Sequence, residues 1–408
     1  MTNTIVMRPL RLLIHDYSGH PFQVQLSREL ARRGYHVLHL HCPSYASGKG
    51  RLERVHGDPV SFAVSAVSLR RSFARHAPAT RVRQELEYGR ALAPHVRGFR
   101  PDIVLSSNTP LIAQTLFQRE CQRLGVPIIY WQQDLYGEAM KRGAARRLAL
   151  VGRIVGEVFV RLERRIARSS DAVIAISEDF RPTLQRWGVS DDRISVIENW
   201  APLEELAPAP RDNEWARTHD LVGRRVLLYA GTLGVKHNPA LLLRLAERFA
   251  EETDVRVVVV SEGSGREWLE ARRPSNLILL DFQPYEQLPL VLASADALIV
   301  ILEPDAGVYS VPSKVLSYQC AGRPVLAALP ATNLAARLIT SAGSGLVCDP
   351  HAPDELVVAA ERMLNDSGMR DEMGERARAY ALRAFDIERI ADRFQTIIGE
   401  ASGRSPGE

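Results

Sequence analysis

Residues 226–265 read VLLYAGTLGVKHNPALLLRLAERFAEETDVRVVVVSEGSG. Two apolar runs, VLLYAG and VRVVVVSEG, each end in a glycine turn and flank a helical pattern. The four consecutive valines Val257–Val260 mark a strand buried on both faces, as in a parallel sheet covered by helices. The alternation continues outward through NLILLD, ALIVIL and PVLAAL. The first half repeats it, with strands predicted at Leu12–Asp16, Val37–His41, Ile103–Ser106, Ile128–Gln132, Val173–Ser177 and Ile194–Glu198. Helical patterns lie between them, such as PFQVQLSRELARRG with its closing Gly34. Between the halves, NWAPLEELAPAPRDN carries three prolines after Asn199 and reads as a linker.

The fold class that follows is α/β, with two doubly wound parallel-sheet domains facing each other across a cleft. The expected boundaries are 1–200, 201–385 and a C-terminal helix and polar tail over 386–408, the helix able to pack back on the first domain. Doubly wound sheets bind ligands outside the carboxyl ends of their strands.

The composition agrees with a globular chain: 408 residues, 25 % charged and 46 % hydrophobic. Four scattered cysteines form no C-x-x-C, so a disulfide scaffold or zinc module is not expected and a reducing compartment is. The start, MTNTIVMRPLRLLIHDYSG, lacks the pattern of a signal peptide, and no apolar run approaches the ~18 residues of a membrane span. The expected location is cytoplasmic. The net charge of +4 conceals an asymmetry: residues 1–200 hold 30 Lys+Arg against 18 Asp+Glu, and residues 201–408 hold 22 against 30. The first half therefore prefers an anionic partner.

Four strand-end segments carry the candidate chemistry. HDYSGH, Asp16 to His20, ends the first strand and opens a helix; it matches a dinucleotide fingerprint poorly. YAGTLGVKHN places Gly231 and Gly234 around a turn and Lys236 just before the next helix, where an ammonium suits a phosphate better than it suits the helix dipole. SEGSG follows the valine strand with Glu262 and Gly263 at its carboxyl end. In VPSKVLSYQCAGRPVLA, Pro312 suits a first helical position, with Ser313 and Lys314 in the first turn, an arrangement that favours a diphosphate. The chain has only four lysines, which makes Lys236 and Lys314 conspicuous among so many arginines.

From Tyr229 to Val325, with YAGTLGVKHNP, SEGSG, LILLDFQPYEQLPLVLASADALIVIL and VPSKVLSYQCAGRPVLA, the chain resembles glycosyltransferase family 4. These are retaining enzymes with two facing Rossmann-like domains, the GT-B fold. The nearest branch acts in bacterial colanic-acid, O-antigen and capsule assembly. RELARRGYHV, AVIAISEDF and DRISVIENW suit the family's first domain. The resemblance implies an acceptor-binding first domain, a nucleotide-sugar-binding second domain and no cofactor besides the donor substrate. It sets Gly231, Thr232 and Lys236 against the donor diphosphate, Glu262 and Gly263 beside the nucleotide, and Phe282 and Gln283 near the base. Tyr309, Ser310, Pro312, Ser313 and Lys314 would line the sugar and diphosphate, and Gly19, His20 and Gln133 would meet the acceptor. Three departures stand out. Thr232 replaces a common arginine, Tyr309 and Ser317 replace a pair of glutamates, and Gln133, followed by Asp134, replaces a histidine.

Cleaving a sugar–diphosphate bond leaves negative charge on the departing phosphate, which Lys236, Lys314 and helix amides can stabilise. Asp134, at a strand end, either orients the acceptor or caps the helix beginning LYGEAMKR. The chain contains no D-x-D, so no metal ligands are expected. The window 146–168 has a helical stripe of Leu148, Val151, Val155, Val158, Leu162 and Ile166, with Arg146, Arg153, Arg161, Arg164 and Arg168 on another face. That helix either packs its stripe on the core with a solvated basic side or lies peripherally on anionic lipid through Arg161, Arg164 and Arg168. Aromatic residues do not interleave with these arginines, so nucleic acid is not an expected partner. The reading is a retaining transferase moving a sugar from a nucleotide-sugar to a glycan or lipid-linked glycan. The alternatives are a nucleotide-sugar epimerase of the same architecture and a non-catalytic scaffold.

Overall fold

The computed structural model describes residues 8–403 apart from 46–48, 71–77, 148, 235 and 309. The chain forms two compact units, Met1–Glu198 with Ile387–Glu408, and Asn199–Asp386. The first contains β1 (Arg11–Asp16), α1 (Pro21–Arg32), β2 (His36–His41), β3 (Phe62–Ala66), α2 (Pro78–Phe99), β4 (Ile103–Ser107) and α3 (Leu111–Arg123). It continues with β5 (Ile128–Gln132), α4 (Tyr136–Arg147), α5 (Ala149–Arg168), β6 (Ala172–Ala175), α6 (Arg181–Arg186) and β7 (Ile194–Val196). The second contains α7 (Glu214–Thr218), β8 (Arg225–Ala230), α8 (Pro239–Arg248), β9 (Val255–Val260), α9 (Ser264–Glu270), β10 (Leu277–Leu280) and α10 (Leu288–Ala293). There follow β11 (Ala297–Ile301), α11 (Lys314–Ala321), β12 (Val325–Ala328), α12 (Leu334–Ala342), β13 (Gly345–Cys348), α13 (Pro353–Asn365) and α14 (Ser367–Ala384). Helix α15 (Ile387–Ser402) then returns to the first unit.

Both sheets are parallel throughout, ordered β3-β2-β1-β4-β5-β6-β7 and β10-β9-β8-β11-β12-β13. This is the expected fold class, two Rossmann-like doubly wound parallel sheets. Central strands such as β4, β5 and β11 are buried at every position, which is why they read as unbroken apolar runs. In each sheet the winding reverses once, between β1 and β4 and between β8 and β11, and a crevice at the strand carboxyl ends is built there.

Four expectations are corrected. Strands β6 and β7 end two residues early; after β6, Ser177 turns to accept the Asp179 amide. Strands β3 and β13, absent from the sequence reading, form sheet edges. Helix α11 starts at Lys314, with Ser313 as its N-cap and Pro312 before it, so Lys314 is the first helical residue. The fourth concerns α5. Its inward face carries Gly152, Gly156, Val160, Glu163, Ile166 and Ala167, while Ile154, Val155 and Val158 are 60 %, 42 % and 56 % exposed. The predicted stripe is therefore split: Val155 and Val158 face out, Ile166 faces in, and Leu148 lies outside the described residues. Close approach of α4 explains the difference, since a Cβ on Gly137 would stand 2.7 Å from the Val160 Cα. Only small residues fit that contact.

Helix α15 buries Ile390, Ala391, Phe394 and Ile398. The Phe394 ring packs edge-on to Trp131 of β5 at 4.8 Å between centroids, and Arg33 at the end of α1 bonds Asp392 at 2.5 Å and the Glu388 carbonyl at 2.8 Å.

Candidate active site

In the second unit the turn after β8 leaves the sheet at Gly231, whose amide donates to the Val260 carbonyl (3.0 Å) and whose φ is +131°. The turn is locked to the one after β9. Leu233 donates to the Glu262 carbonyl (3.0 Å), and its own carbonyl receives the Gly265 amide (2.8 Å). Gly263, at φ +114°, could not carry a Cβ, which would fall 2.9 Å from the Leu233 carbonyl oxygen. The glycines of SEGSG thus serve the interlocking of two turns.

Lys236 stands in this turn, and its Nζ donates to Ser310 Oγ at 2.9 Å. Its carbonyl accepts the Glu303 amide at 2.8 Å, so the loop after β11 is tied to the turn after β8 across the reversal point of the sheet. Asn333 holds the same loop from the other side by donating to the Gly307 and Ser310 carbonyls, both at 2.9 Å. Val308 and Ser310 bracket Tyr309, which lies outside the described residues.

Lys314 reaches the same place from α11. Its Nζ is buried, has no hydrogen-bond partner among the described residues, and sits 3.4 Å from the centroid of the Tyr229 ring. Space for it exists because residue 231 is glycine: a Cβ there would lie 3.1 Å from Lys314 Cε and 3.2 Å from Nζ. Burial holds the amine well below the ordinary lysine range. The Tyr318 hydroxyl, one turn further along α11, bonds Ala230 and Ile299, pinning the helix to β8 and β11. His237 lies beside both lysines, and its pKa falls to about 3, chiefly through burial. His237 Nδ1 accepts the Gly234 amide (3.1 Å), which fixes that nitrogen as unprotonated. Sequence reasoning did not single out His237 or Tyr229; their only signal is adjacency to Lys236 and Gly231.

The remaining predicted donor residues are distributed more widely. Thr232 is exposed, and its carbonyl accepts the Tyr229 hydroxyl (2.8 Å). Pro312 is buried and Ser313 exposed at the start of α11, where their carbonyls take the Val315 and Leu316 amides. Phe282 and Gln283 follow β10, two strands from β8; Gln283 accepts from Trp215 Nε1 at 3.1 Å.

In the first unit the corresponding reversal point holds Asp16 at the end of β1. Its carboxylate takes the amides of Ser18 (3.0 Å) and His20 and the side chain of Asn108 (3.3 Å) from beyond β4. Gly19 is not open to a ligand along its Cβ direction, because Leu52 Cδ1 lies 2.6 Å from that position. Burial lowers the His20 pKa, and its Nδ1 is buried without a partner among the described residues. Gln133 and Asp134 follow β5, Gln133 buried and Asp134 half-buried. Two described amides at the start of α4, those of Tyr136 and Gly137, go to Glu163 of α5, at 3.1 and 2.6 Å, and not to Asp134. Glu163 also accepts from Gln132 (3.1 Å) and is pushed up to about 7, chiefly by burial, with Asp134 adding to the effect. It is a buried residue the sequence reading missed. Its signal is a lone carboxylate between Leu162 and Ile166 of the apolar pattern.

Comparison with known proteins bears on what these two units are. Residues 20–200 match the family model of the glycosyl transferase 4-like domain, and residues 212–380 match that of glycosyl transferases group 1. WcaI of Escherichia coli (strain K12), named a colanic acid biosynthesis glycosyl transferase, is 24 % identical over 73 % of this chain and 74 % of its own. WbjE of Pseudomonas aeruginosa, named a glycosyltransferase, is 25 % identical over 66 % of this chain and 67 % of its own. The crystal structure of Anabaena HepE in complex with UDP and glucose superposes with a TM-score of 0.69 at 14 % identity, covering 96 % of this chain and 99 % of HepE. The two family models lie in tandem over most of the sequence and meet the two sheets in order, so the chain belongs to glycosyltransferase family 4 and is a glycosyltransferase of the GT-B fold.

Proposed function

We propose that the protein is a retaining transferase that moves a sugar from a nucleotide-diphosphate-sugar to a glycan or lipid-linked glycan acceptor in surface polysaccharide synthesis. The observation that carries this reading is the convergence of Gly231, Lys236, Ser310 and Lys314 at the reversal point of the second sheet. Two cationic side chains and a helix start gathered there suit a diphosphate. The names of WcaI and WbjE and the UDP bound to HepE favour the same substrate classes.

As the bond between the sugar and the diphosphate lengthens, positive charge grows on the anomeric carbon and negative charge on the leaving phosphate. Lys236, oriented by Ser310, and Lys314 stabilise the phosphate. The phosphate can then take the acceptor hydroxyl proton on the same face of the sugar, which retains configuration without an enzymic nucleophile. Glu262 and Gly263 border the nucleotide, with Phe282 and Gln283 towards its base; Gly231, Thr232, Pro312 and Ser313 complete the donor side. On the first unit, Asp134, Gln133 and His20 are the acceptor-side groups. No metal or cofactor takes part in this scheme, so turnover should be unaffected by EDTA.

The same proposal places the first unit on the cytoplasmic face of the membrane. Arg153, Arg161, Arg164, Arg165 and Arg168 are exposed on α5 together with Ile154, Val155 and Val158. A surface that is apolar at one end and cationic at the other fits an anionic bilayer. Among the described residues no helix is long and apolar enough to cross a membrane.

The test is product analysis with a panel of nucleotide-sugars and lipid-linked acceptors. Release of nucleoside diphosphate matched by a glycoside of unchanged anomeric configuration is expected. Interconversion of free nucleotide-sugars would instead establish the epimerase, and the absence of either product the scaffold.

A further inference from the structure

We propose that Lys314 supplies the second cation of the donor-diphosphate site by taking up a proton from solvent as the diphosphate arrives. The inference rests on the donor-site reading above and specifies how that site is charged.

Three features of the site disfavour an ammonium at this position. Lys314 Nζ is buried and meets no acceptor among the described residues, so an ion there loses its water without replacement. It is also the first residue of α11, where the positive end of the helix dipole opposes a cation. Its charged neighbour from the turn after β8 is another lysine, Lys236, and His237 from the same turn stays neutral. Tyr229 of β8 contributes only its ring face, and Tyr318 of α11 has its hydroxyl engaged by Ala230 and Ile299. Glu262 and Glu303 stand on the turns after β9 and β11, and the lowered affinity of Lys314 for the proton has burial as its cause. The cation–π contact at 3.4 Å is worth about 2 kcal/mol at best, less than the desolvation of an unpaired ammonium.

A diphosphate reverses each of these terms. It offers oxygen acceptors to Nζ, it is favoured by the helix start, and it neutralises Lys236. The proton moves from buffer to the lone pair of the Lys314 amine, giving an ammonium beside the phosphate. Linkage then requires affinity for the diphosphate to fall as pH rises. The limit is about tenfold per pH unit between the free and bound pKa values of the amine. Lys236 differs, since its Nζ already donates to Ser310.

The experiment is titration calorimetry of the whole chain with UDP and with GDP at pH 8, in Tricine, HEPES and Tris. These buffers differ in ionisation enthalpy, and the terminal phosphate of the nucleotide is already ionised at that pH. Uptake approaching one proton per nucleotide is expected. Lys314→Met should lose the uptake and bind about 10- to 100-fold more weakly, whereas Lys236→Met should bind more weakly and still take up the proton. With only four lysines in the chain, Nζ-labelled lysine NMR gives a second reading that needs no variant. Burial lowers both Lys49 and Lys314, Lys314 the further, so the lowest-titrating resonance should be the one that moves upward with UDP. Tight binding without proton uptake, or uptake that survives in Lys314→Met, would overturn the proposal while leaving the donor site intact. Absence of binding by either nucleotide would overturn the donor-site reading and this inference together.

Discussion

The two sheets reverse their winding at equivalent points, and the two points are filled differently. In the first unit, Asp16 is surrounded by the Ser18 and His20 amides and the Asn108 side chain, and Lys49 donates to the Ser18 and Cys42 carbonyls at 3.3 and 3.0 Å. Charge there is met by the protein itself. In the second unit, Lys314 is left on an aromatic face with no acceptor among the described residues. Topology provides a crevice in both places, and in the second a buried lysine amine stands there without an acceptor among the described residues. A Rossmann-like reversal point therefore indicates where to look, and the balance of donors and acceptors indicates which ligand to look for.

The largest effect expected from breaking this contrast is structural and confined to the first unit. Phe394→Ala empties a fully buried ring position against Trp131 and should cost about 3–5 kcal/mol. Hydrogen exchange should show protection lost around β5 and α1 and kept around β8 and β9; uniform loss in both units would contradict the division. Next comes Lys236→Ala, which removes the cation already oriented by Ser310. Turnover should fall about 10²- to 10³-fold with the melting temperature little changed, as for loss of one donor to a developing anion. Near-normal turnover in the folded variant would remove Lys236 from the chemistry.

The third effect compares one histidine in each unit. His15, buried among Ser106, Thr109 and Tyr88, and His237, beside the two lysines, both have pKa values of about 3 against an ordinary 6.5. Burial is the leading cause in both. Between those values the unfolded chain binds more protons than the native one, so the stabilisation is complete above pH 6.5 and is lost as pH falls towards 3. Each histidine should contribute about 1.4 kcal/mol per pH unit in that window, or about 2 kcal/mol by pH 5. Urea midpoints measured from pH 7 to pH 4 should fall less steeply for His237→Asn, in which the amide oxygen can still accept from Gly234. Parallel curves would show that His237 is not held neutral.

The smallest effect per residue belongs to α5. Replacing Arg161, Arg164 and Arg168 with glutamine should reduce sedimentation with anionic vesicles and abolish its salt dependence, at roughly 1 kcal/mol per arginine. Changing Ile154 and Val158 to serine should weaken binding several-fold while keeping the salt dependence, because burial of apolar area is not screened. Equal sedimentation with neutral and anionic lipid would leave α5 as a solvated basic helix.

Much of this was legible in the sequence because strands buried on both faces cannot hide their apolarity. β8, β9, β11 and β12 all announce themselves as continuous runs. The strands that escaped are β3 and β13, edge strands with half-exposed positions and no unbroken run to read. Lys236 and Lys314 were legible as rare lysines at strand-end and helix-start turns. That Lys314 rests on Tyr229, and that Gly231 makes the room, depends on contacts across 85 residues of chain that no local pattern records. Glu163 was missed for the same reason: its partners at the start of α4 are brought to it only by the crossing of α4 over α5. The stripe on α5 was misassigned because periodicity reports an apolar face, whereas the contact selected small side chains.

Helix α15 also sets the order in which the molecule can be completed during synthesis. The first unit is interrupted by all of residues 199–386, so its sheet emerges from the ribosome first while the unit itself is completed last, by α15. At 5–20 residues per second, roughly 10–40 s pass between the appearance of β7 and that of α15. Throughout that interval Trp131 and the end of α1 lack their cover, while the second unit acquires its strands one after another and has the last of them, β13, before α15 appears. The half of the protein translated first is thus the half that stays incomplete longest, and a ribosome stalled late in the message would release a folded second unit joined to an unfinished first one.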